Sequence, residues 1–278
     1  MLFFYFNYML NIINDKSLVL GLMSGTSMDG LDISCSQYYK KKNIWNFKLI
    51  ASETIPYNQK IKLDLLKTFN QDYNIIEMDT QFGLVLSDFV SQFLKKYNLS
   101  VDLISSHGHT IFHNPQKGYT KQIGLGSVIA KKTGIPVVCN FRQQDIDFGG
   151  QGAPLVPIGD KLLFGEYDSC LNLGGITNIS FDWNSDRLAF DISPCNIILN
   201  YLANKTGEEF DKFGHIAQNG IVNTTLLEQL NTLSYYDLRM PKSLGKEYID
   251  AFFIPIIDKS NIKIQDLLCT FVEHIAIQ

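Results

Sequence analysis

The sequence predicts an α/β fold of two domains. Strand-like and helix-like patterns alternate from residue 18 onward, as expected when helices pack on a sheet. Each half contains a glycine-tipped hairpin, and the glycine-rich segment 149–154 separates the halves. We therefore divide the chain into an N-terminal extension (1–16), a first domain (17–142) and a second domain (143–278). With 278 residues, 45% of them hydrophobic, the chain is long enough for two cores.

Composition and charge exclude several classes of function. The net charge is -4, without a run of like charge, whereas nucleic-acid binding needs a clustered basic face. The five cysteines are far apart and form no CxxC pair, which favours a reducing compartment. The apolar first 14 residues lack a positive n-region and a cleavage site and are too short to span a bilayer. We expect a soluble, cytoplasmic protein that binds neither nucleic acid nor membrane; Met9 is an alternative start, and a homodimer is left open.

The first hairpin carries the sequence GLMSGTSMDGLD (21–32) between the apolar runs Leu18–Met23 and Leu31–Cys35. Glycines let the backbone approach an anion, and hydroxyl and N–H groups donate to phosphate oxygens. A carboxylate at such a tip, Asp29, fits a contact to Mg²⁺, directly or through water. A plain polar turn is the alternative interpretation. The candidate phosphate-binding residues are Gly25, Thr26, Ser27, Met28, Asp29, Gly30, Leu31 and Asp32.

Further elements follow the hairpin. The predicted strands are 45–54, 101–105 and 136–139, and the predicted helices are 75–94 and 127–133. His107 and His109 follow a strand, which predicts a strand-end loop that hydrogen-bonds to a polar ligand; a transition-metal pair is the alternative, but it lacks a third ligand. Arg142 and Asp145, just before the glycine-rich segment, either contact ligand or tie the domains together.

The second half repeats the hairpin. A strand at 169–173, a turn at 174–178 and a return strand at 179–181 give a second Gly/Thr/Asn tip, whose candidates are Gly174, Gly175, Thr177 and Asn178. Two such hairpins facing each other would clamp a polyphosphate. Asp191 ends the strand 188–191 and precedes a helix at 196–202, so it is either a general base or the cap of that helix.

The last helix ends abruptly. Its apolar stripe is Ile264, Leu267, Leu268, Phe271 and Ile275, with no glycine or asparagine cap before Gln278. We expect this stripe to be left uncovered, as in a chain cut before its fold is complete.

No P-loop, GxSxG or Rossmann motif is present, and phosphate sites made of hairpins favour an actin-like, sugar-kinase architecture. Six motifs then carry a resemblance to the anhydro-N-acetylmuramic acid kinases of bacterial cell-wall recycling. Besides the first hairpin they are SHGHTIFH (106–113), NFRQQD with GGQGAPLVP (140–157), NLGGITNIS (172–180), FDISPCN (190–196) and PKSLGKEY (241–248).

The resemblance implies an actin-like (RNase H-like) ATPase fold with a ligand cleft between its domains. It implies an enzyme that uses ATP and Mg²⁺, with Asp191 activating the water that opens 1,6-anhydro-N-acetylmuramic acid while O6 takes the γ-phosphoryl group. The resulting N-acetylmuramic acid 6-phosphate feeds amino-sugar catabolism. The substrate-binding residues implied are His107, His109, Arg142, Asp145, Gln151 and Asn196.

Three departures from the family pattern bear on activity. Ser193 and Cys195 stand where the family's FDxGPGN has glycines, and His109 stands where glutamine is usual. The chain also ends before the family's last segment, which carries a glycine-rich adenosine loop, so we expect little kinase activity from the chain as given. The alternatives are a non-catalytic remnant that binds a sugar and another actin-like kinase of small molecules.

Overall fold

The computed structural model describes residues 16–25, 28–42, 44–70, 73–114, 117–150, 152–184 and 186–278. The chain forms two compact units, Met1–Leu155 and Val156–Gln278. The predicted boundary between residues 142 and 143 lies earlier, and the segment 143–155 belongs to the first unit. Residues 1–15 of the predicted extension lie outside the described residues. Within the described part, no helix is long and apolar enough to cross a membrane.

The first unit is a mixed sheet with helices. Its strands are β1 (Lys16–Ser24), β2 (Gly30–Lys41), β3 (Ile44–Pro56), β4 (Leu103–Asn114), β5 (Tyr119–Ile123) and β6 (Val137–Val138), and its helices are α1 (Gln59–Phe69), α2 (Ile75–Tyr97), α3 (Gly126–Thr133) and α4 (Phe141–Asp147). The strand order is β3-β2-β1-β4-β5, with β6 also paired to β4. β1 to β3 are antiparallel, whereas β4 is parallel to both β1 and β6. The predicted α/β class is confirmed.

Helix α2 supplies much of the first core. Asn74 begins it by accepting the N–H groups of Ile76 and Glu77. The buried side chains Phe82, Leu86 and Val90 lie four residues apart on one face. Each such burial contributes about 2 kcal/mol, so the sheet behind the first hairpin has a rigid support.

Strand β4 is longer than predicted. The segment SHGHTIFH, predicted as a strand-end loop, lies within it, because His109 pairs with Ser24 of β1 and with Ile123 of β5. Gly108 has a φ of 72° and leaves room for the Ile123 carbonyl, which a Cβ would approach to 2.6 Å. The loop prediction was therefore wrong, since pairing on both edges extends the strand.

The second unit contains an antiparallel meander preceded by one helix and followed by several. Its elements are α5 (Val156–Leu163), β7 (Ser169–Leu173), β8 (Ile176–Trp183), β9 (Asp186–Pro194), α6 (Asn196–Asn204), α7 (Thr224–Asn231), α8 (Lys246–Tyr248), a π-helical turn (Ile249–Phe253), α9 (Ile254–Lys259) and α10 (Ile264–Ile277), with two short 3₁₀ turns (Lys212–Gly214 and Ala217–Asn219). The sheet order is β7-β8-β9. β7–β9 thus repeat the β1–β3 meander, and the predicted strands and the helix after Asp191 are confirmed.

The apolar stripe of α10 is covered. Leu267, Leu268 and Phe271 are buried in the core of the second unit, and Ile264 and Ile275 pack against it. The expectation of an uncovered stripe was wrong, because the preceding helices of the same unit supply the partner surface.

Candidate active site

The first hairpin turns over residues 25–29, of which Thr26 and Ser27 lie outside the described residues. Met28 has a φ of 56° and donates its N–H to the Gly25 carbonyl at 3.2 Å. Asp29 is exposed, and its Oδ1 accepts the Gly30 N–H at 3.0 Å. The hydrogen bond from Met28 to Gly25 therefore brings the two ends of the turn together, and Asp29 follows directly after it.

The two residues after Gly30, both predicted to bind phosphate, have different surroundings in the structure. Leu31 is buried in the core of the first unit, so its side chain packs there rather than at the tip. Asp32 is exposed on β2, and its Oδ1 accepts the Thr54 hydroxyl of β3 at 2.5 Å.

A buried polar cluster lies at the base of this tip. The Tyr57 hydroxyl donates to Ser24 Oγ at 2.7 Å, and Ser24 Oγ lies 2.9 Å from Nδ1 of His109. The Tyr57 N–H also donates to the Asp29 carbonyl at 3.0 Å. Burial lowers the pKa of His109 to about 4, with a smaller contribution from His107. Tyr57 thus holds both ends of the turn, and His109 is neutral near pH 7.

His107 and Arg142 form a second cluster. Arg142 Nε donates to His107 Nε2 at 2.9 Å, and His107 Nδ1 lies 2.9 Å from the Gly108 carbonyl. Burial, and then the Arg142 charge, lower the pKa of His107. Both ring nitrogens are engaged, and no group of three metal-ligating side chains occurs among the described residues. The His107–His109 metal pair therefore has no support.

Arg142 and Asp145 of α4 also hold the glycine-rich segment. Arg142 Nη1 donates to the Gly152 carbonyl at 2.7 Å, and the Gly152 N–H donates to Asp145 Oδ2 at 2.7 Å. Gly150 lies against the Asp145 carboxylate, and a Cβ added at position 150 would lie 2.2 Å from Asp145 Oδ2. Gln151, the remaining predicted substrate contact here, lies outside the described residues. The segment is thus anchored to the first unit by two charged side chains.

In the second unit, the glycine turn caps a helix. The Gly175 carbonyl accepts the N–H groups of Cys195 and Ile197 at 2.9 and 3.1 Å, and the Gly174 carbonyl accepts that of Asn196 at 3.1 Å. The Asn196 side chain, on an exposed residue, donates to the Leu173 carbonyl at 3.1 Å. Turn and helix α6 are therefore one rigid piece.

Asp191 lies beside this turn and is held by a distant segment. It pairs across the sheet with Asn178 of β8, and its Oδ2 accepts the Leu244 N–H at 2.8 Å and the Ser243 hydroxyl at 3.3 Å. Burial raises the pKa of this carboxyl, and these two hydrogen bonds partly offset the effect. Cys195, not Asp191, is the N-cap residue of α6. The capping alternative is therefore wrong, and a half-buried, oriented carboxylate is what the structure shows.

Comparisons with known proteins identify the family. The family model described as anhydro-N-acetylmuramic acid kinase matches residues 17–278. The protein of that name from Aliivibrio fischeri is 36% identical over 269 residues, covering 91% of this chain and 72% of its own. Those from Pasteurella multocida and Caldanaerobacter subterraneus are 36% and 32% identical, covering 91% and 86% of this chain and 71% and 67% of their own. This chain belongs to the anhydro-N-acetylmuramic acid kinase family.

Among solved structures, the Aquifex aeolicus member of the Ppx/GppA protein family matches with a TM-score of 0.32 and 10% identity, covering 94% of this chain and 91% of its own. A likeness at that level supports no argument about this member of the kinase family.

Two departures from the family motif are accommodated without left-handed backbone. Neither Ser193 nor Cys195 has a positive φ. The Ser193 hydroxyl, and that of Thr177 opposite it, are buried and have no hydrogen-bond partner among the described residues. Each therefore requires a water or a ligand atom.

The sequence prediction missed several residues of this kinase-family site. Ser243 and Leu244 belong to the quoted PKSLGKEY motif, but nothing local ties them to Asp191, more than fifty residues earlier. Ser24 precedes the predicted tip by one residue, and Tyr57 follows β3. Ser24 does lie within the quoted motif 21–32, whereas Tyr57 lies outside every quoted motif.

Proposed function

We propose that this chain is an ATP-dependent kinase that opens 1,6-anhydro-N-acetylmuramic acid and phosphorylates it at O6. The products are N-acetylmuramic acid 6-phosphate and ADP. Family membership supports the reaction class, and the Asp191 carboxylate carries the mechanism. Its Oδ2 is held by Leu244 and Ser243, whereas Oδ1 has no hydrogen-bond partner among the described residues.

Asp191 acts as the general base. Its carboxylate takes a proton from a water molecule, whose oxygen forms a bond to C1 as the C1–O6 bond breaks. The electron pair released to O6 attacks the γ-phosphorus of ATP, and ADP leaves. Because O6 becomes nucleophilic only as its bond to C1 breaks, the water and the phosphoryl donor must be held in place together. The proton on Asp191 returns to solvent after turnover.

The two glycine turns are the proposed phosphate-binding segments of their units. In the first, the exposed Asp29 lies on the turn that follows β1; in the second, Gly174 and Gly175 form the turn fixed to α6, and Thr177 and Asn178 lie at the start of β8. Magnesium bound to nucleotide needs only one or two protein carboxylates, so Asp29 alone fits it, directly or through water. The ion supplies charge neutralisation on the transferred group.

The first unit also offers the proposed contacts to the sugar. Arg142 is half-buried, and no carboxylate among the described residues lies within ion-pair distance of it. A desolvated cation without a counter-charge favours an anionic ligand, and N-acetylmuramic acid carries a carboxylate. We assign Arg142, with His107, His109, Asp145 and Gln151, to substrate binding, and Asn196 of the second unit is proposed as a further contact. The proposed setting is cytoplasmic recycling of peptidoglycan.

The experiment compares Asp191→Asn with Asp186→Asn, which alters an exposed carboxylate at the other end of the same strand. Product is measured by mass spectrometry, and sugar binding by calorimetry. We expect Asp191→Asn to lower turnover by roughly two to four orders of magnitude with binding retained, and Asp186→Asn to match the unaltered chain. Near-normal turnover of Asp191→Asn would remove it as the base. Sugar binding without any product from the unaltered chain would favour the non-catalytic alternative.

A further inference from the structure

The hydrogen bonds among Tyr57, Ser24 and His109 can be assigned a donor and an acceptor at each step. All three side chains are buried, with His109 only 4% exposed. The Tyr57 hydroxyl donates to Ser24 Oγ, so the hydrogen of Ser24 has one acceptor within reach among the residues that the structure describes, Nδ1 of His109. If Nδ1 carried the hydrogen instead, the Ser24 hydroxyl hydrogen would be buried without an acceptor, at a cost of about 1–3 kcal/mol.

This order of donors fixes the tautomer of His109. With Nδ1 accepting and the ring neutral, the ring hydrogen resides on Nε2. Nε2 has no hydrogen-bond partner among the described residues, and it is not one of the fully enclosed polar atoms that lack a partner, so it reaches solvent-accessible space although most of the imidazole is buried. A donor in this position can meet an acceptor oxygen of a ligand or a water that occupies that space.

The position of the ring indicates which ligand it meets. Ser24 is the last residue of β1, directly before the tip, and pairs with His109 in the ladder of β1 and β4. Tyr57 is bonded to the same tip through the Asp29 carbonyl. The unpartnered Nε2 therefore belongs to the base of the proposed phosphate-binding turn.

We propose that Tyr57 and Ser24 are positioning residues that hold His109 as the Nε2–H tautomer, so that Nε2 donates a hydrogen bond to an acceptor oxygen of the bound substrate or nucleotide. This inference rests on the proposed function for the identity of the ligand. We call these three hydrogen-bonded side chains the relay. A glutamine side chain at position 109 would need no such relay, because its amide nitrogen is always a donor.

The first test reads the tautomer directly. Protein labelled with ¹⁵N-histidine is examined by two-bond ¹H–¹⁵N correlation, and His109→Gln identifies the His109 signals. We expect protonated Nε2 and unprotonated Nδ1 in the unaltered chain, a mixture of tautomers in Ser24→Ala, and no change in Ser36→Ala, which alters another buried serine of the same sheet. Protonated Nδ1 in the unaltered chain would overturn the proposal.

The same spectra locate the acceptor. The protein is titrated with 1,6-anhydro-N-acetylmuramic acid and, separately, with a magnesium complex of a non-hydrolysable ATP analogue. A shift of the Nε2 signal with one of them assigns the oxygen to the sugar or to the phosphates. No shift with either, at concentrations where calorimetry shows binding, would overturn the donor role.

Combining Ser24→Ala with His109→Gln tests whether Ser24 positions His109 or only stabilises the fold. Ser24→Ala should lower kcat/KM about tenfold when His109 is present, the loss of one ordinary hydrogen bond. In the His109→Gln background the same change should have a markedly smaller effect, because glutamine needs no tautomer. Equal losses in both backgrounds would show that Ser24 is only structural. A chain without kinase activity would overturn the proposed function, whereas the nitrogen spectra would still decide on the relay.

Discussion

At the residue scale, Asp191 is under two opposing influences. Burial disfavours its charged form and raises the pKa, whereas the Leu244 N–H and the Ser243 hydroxyl favour the carboxylate and lower it. The balance leaves the pKa above the ordinary aspartate value. A general base must be deprotonated, so activity should fall as the pH decreases through this raised pKa.

Removing the Ser243 hydroxyl should shift the acid limb of the pH–activity profile, the range in which activity falls as the pH decreases. Ser243→Ala deletes a bond to the charged form, so the pKa of Asp191 rises and the acid limb of kcat/KM shifts to higher pH, by up to about one pH unit. Ser260→Ala, which removes a hydroxyl that donates to the Ile257 carbonyl, serves as the control and should leave the acid limb in place. If the acid limbs of kcat/KM for Ser243→Ala and for the unaltered chain coincide, the Ser243 hydroxyl does not influence the pKa of Asp191.

At the scale of elements, helix α4 organises the glycine-rich segment that follows it. The Gly150 N–H donates to the Asp145 carbonyl at 2.8 Å, while Asp145 Oδ2 accepts from Gly152. The carboxylate thus fills the space that a side chain at position 150 would occupy. Glycine is required here because of close approach rather than because of an unusual φ.

Gly150→Ala should displace the Asp145 carboxylate and loosen the segment. We expect lower stability, by about 1–3 kcal/mol, and a raised KM for the sugar. Asp145→Ala removes the opposing atoms, so Gly150→Ala should be nearly neutral in that background. Gly159→Ala, at an open position of α5, is the control and should not destabilise. Thermal unfolding and kinetics of all four variants check this, and identical penalties with and without Asp145 would refute it.

At the scale of the whole molecule, the sequence predicted elements well and their long-range contacts poorly. Hairpins and helices follow from local spacing, so β7, α2 and the turn at Gly174 and Gly175 were found. The Asp191–Leu244 contact joins residues far apart in sequence, and no local pattern encodes it. The cover over α10 was missed for the same reason. His107 and His109 were found as polar, but only the neighbours Arg142 and Ser24 decide what each ring nitrogen does.

Each unit contains a buried neutral histidine that links the stability of that unit to pH. His109 in the first unit and His274, 0% exposed, in the second have pKa values lowered by burial to about 4. His274 Nε2 lies 2.6 Å from the Tyr236 hydroxyl and Nδ1 2.7 Å from Asn231 Oδ1, so the neutral ring donates from Nδ1 and accepts at Nε2. Because the unfolded chain binds more protons between about pH 6.5 and 4, stability is present above that range and is lost as the pH falls through it, by about 3 kcal/mol for each histidine.

Hydrogen exchange read peptide by peptide separates the two units, since one unfolding curve cannot describe both. After correction for intrinsic exchange rates, protection in both units should decrease on acidification from pH 6.5 to pH 4. His274→Gln should weaken this dependence in the second unit alone, and His109→Gln in the first alone. His215→Gln, at an exposed position, should change neither. A dependence that persists undiminished in both variants would show that other groups, not these histidines, link folding to pH.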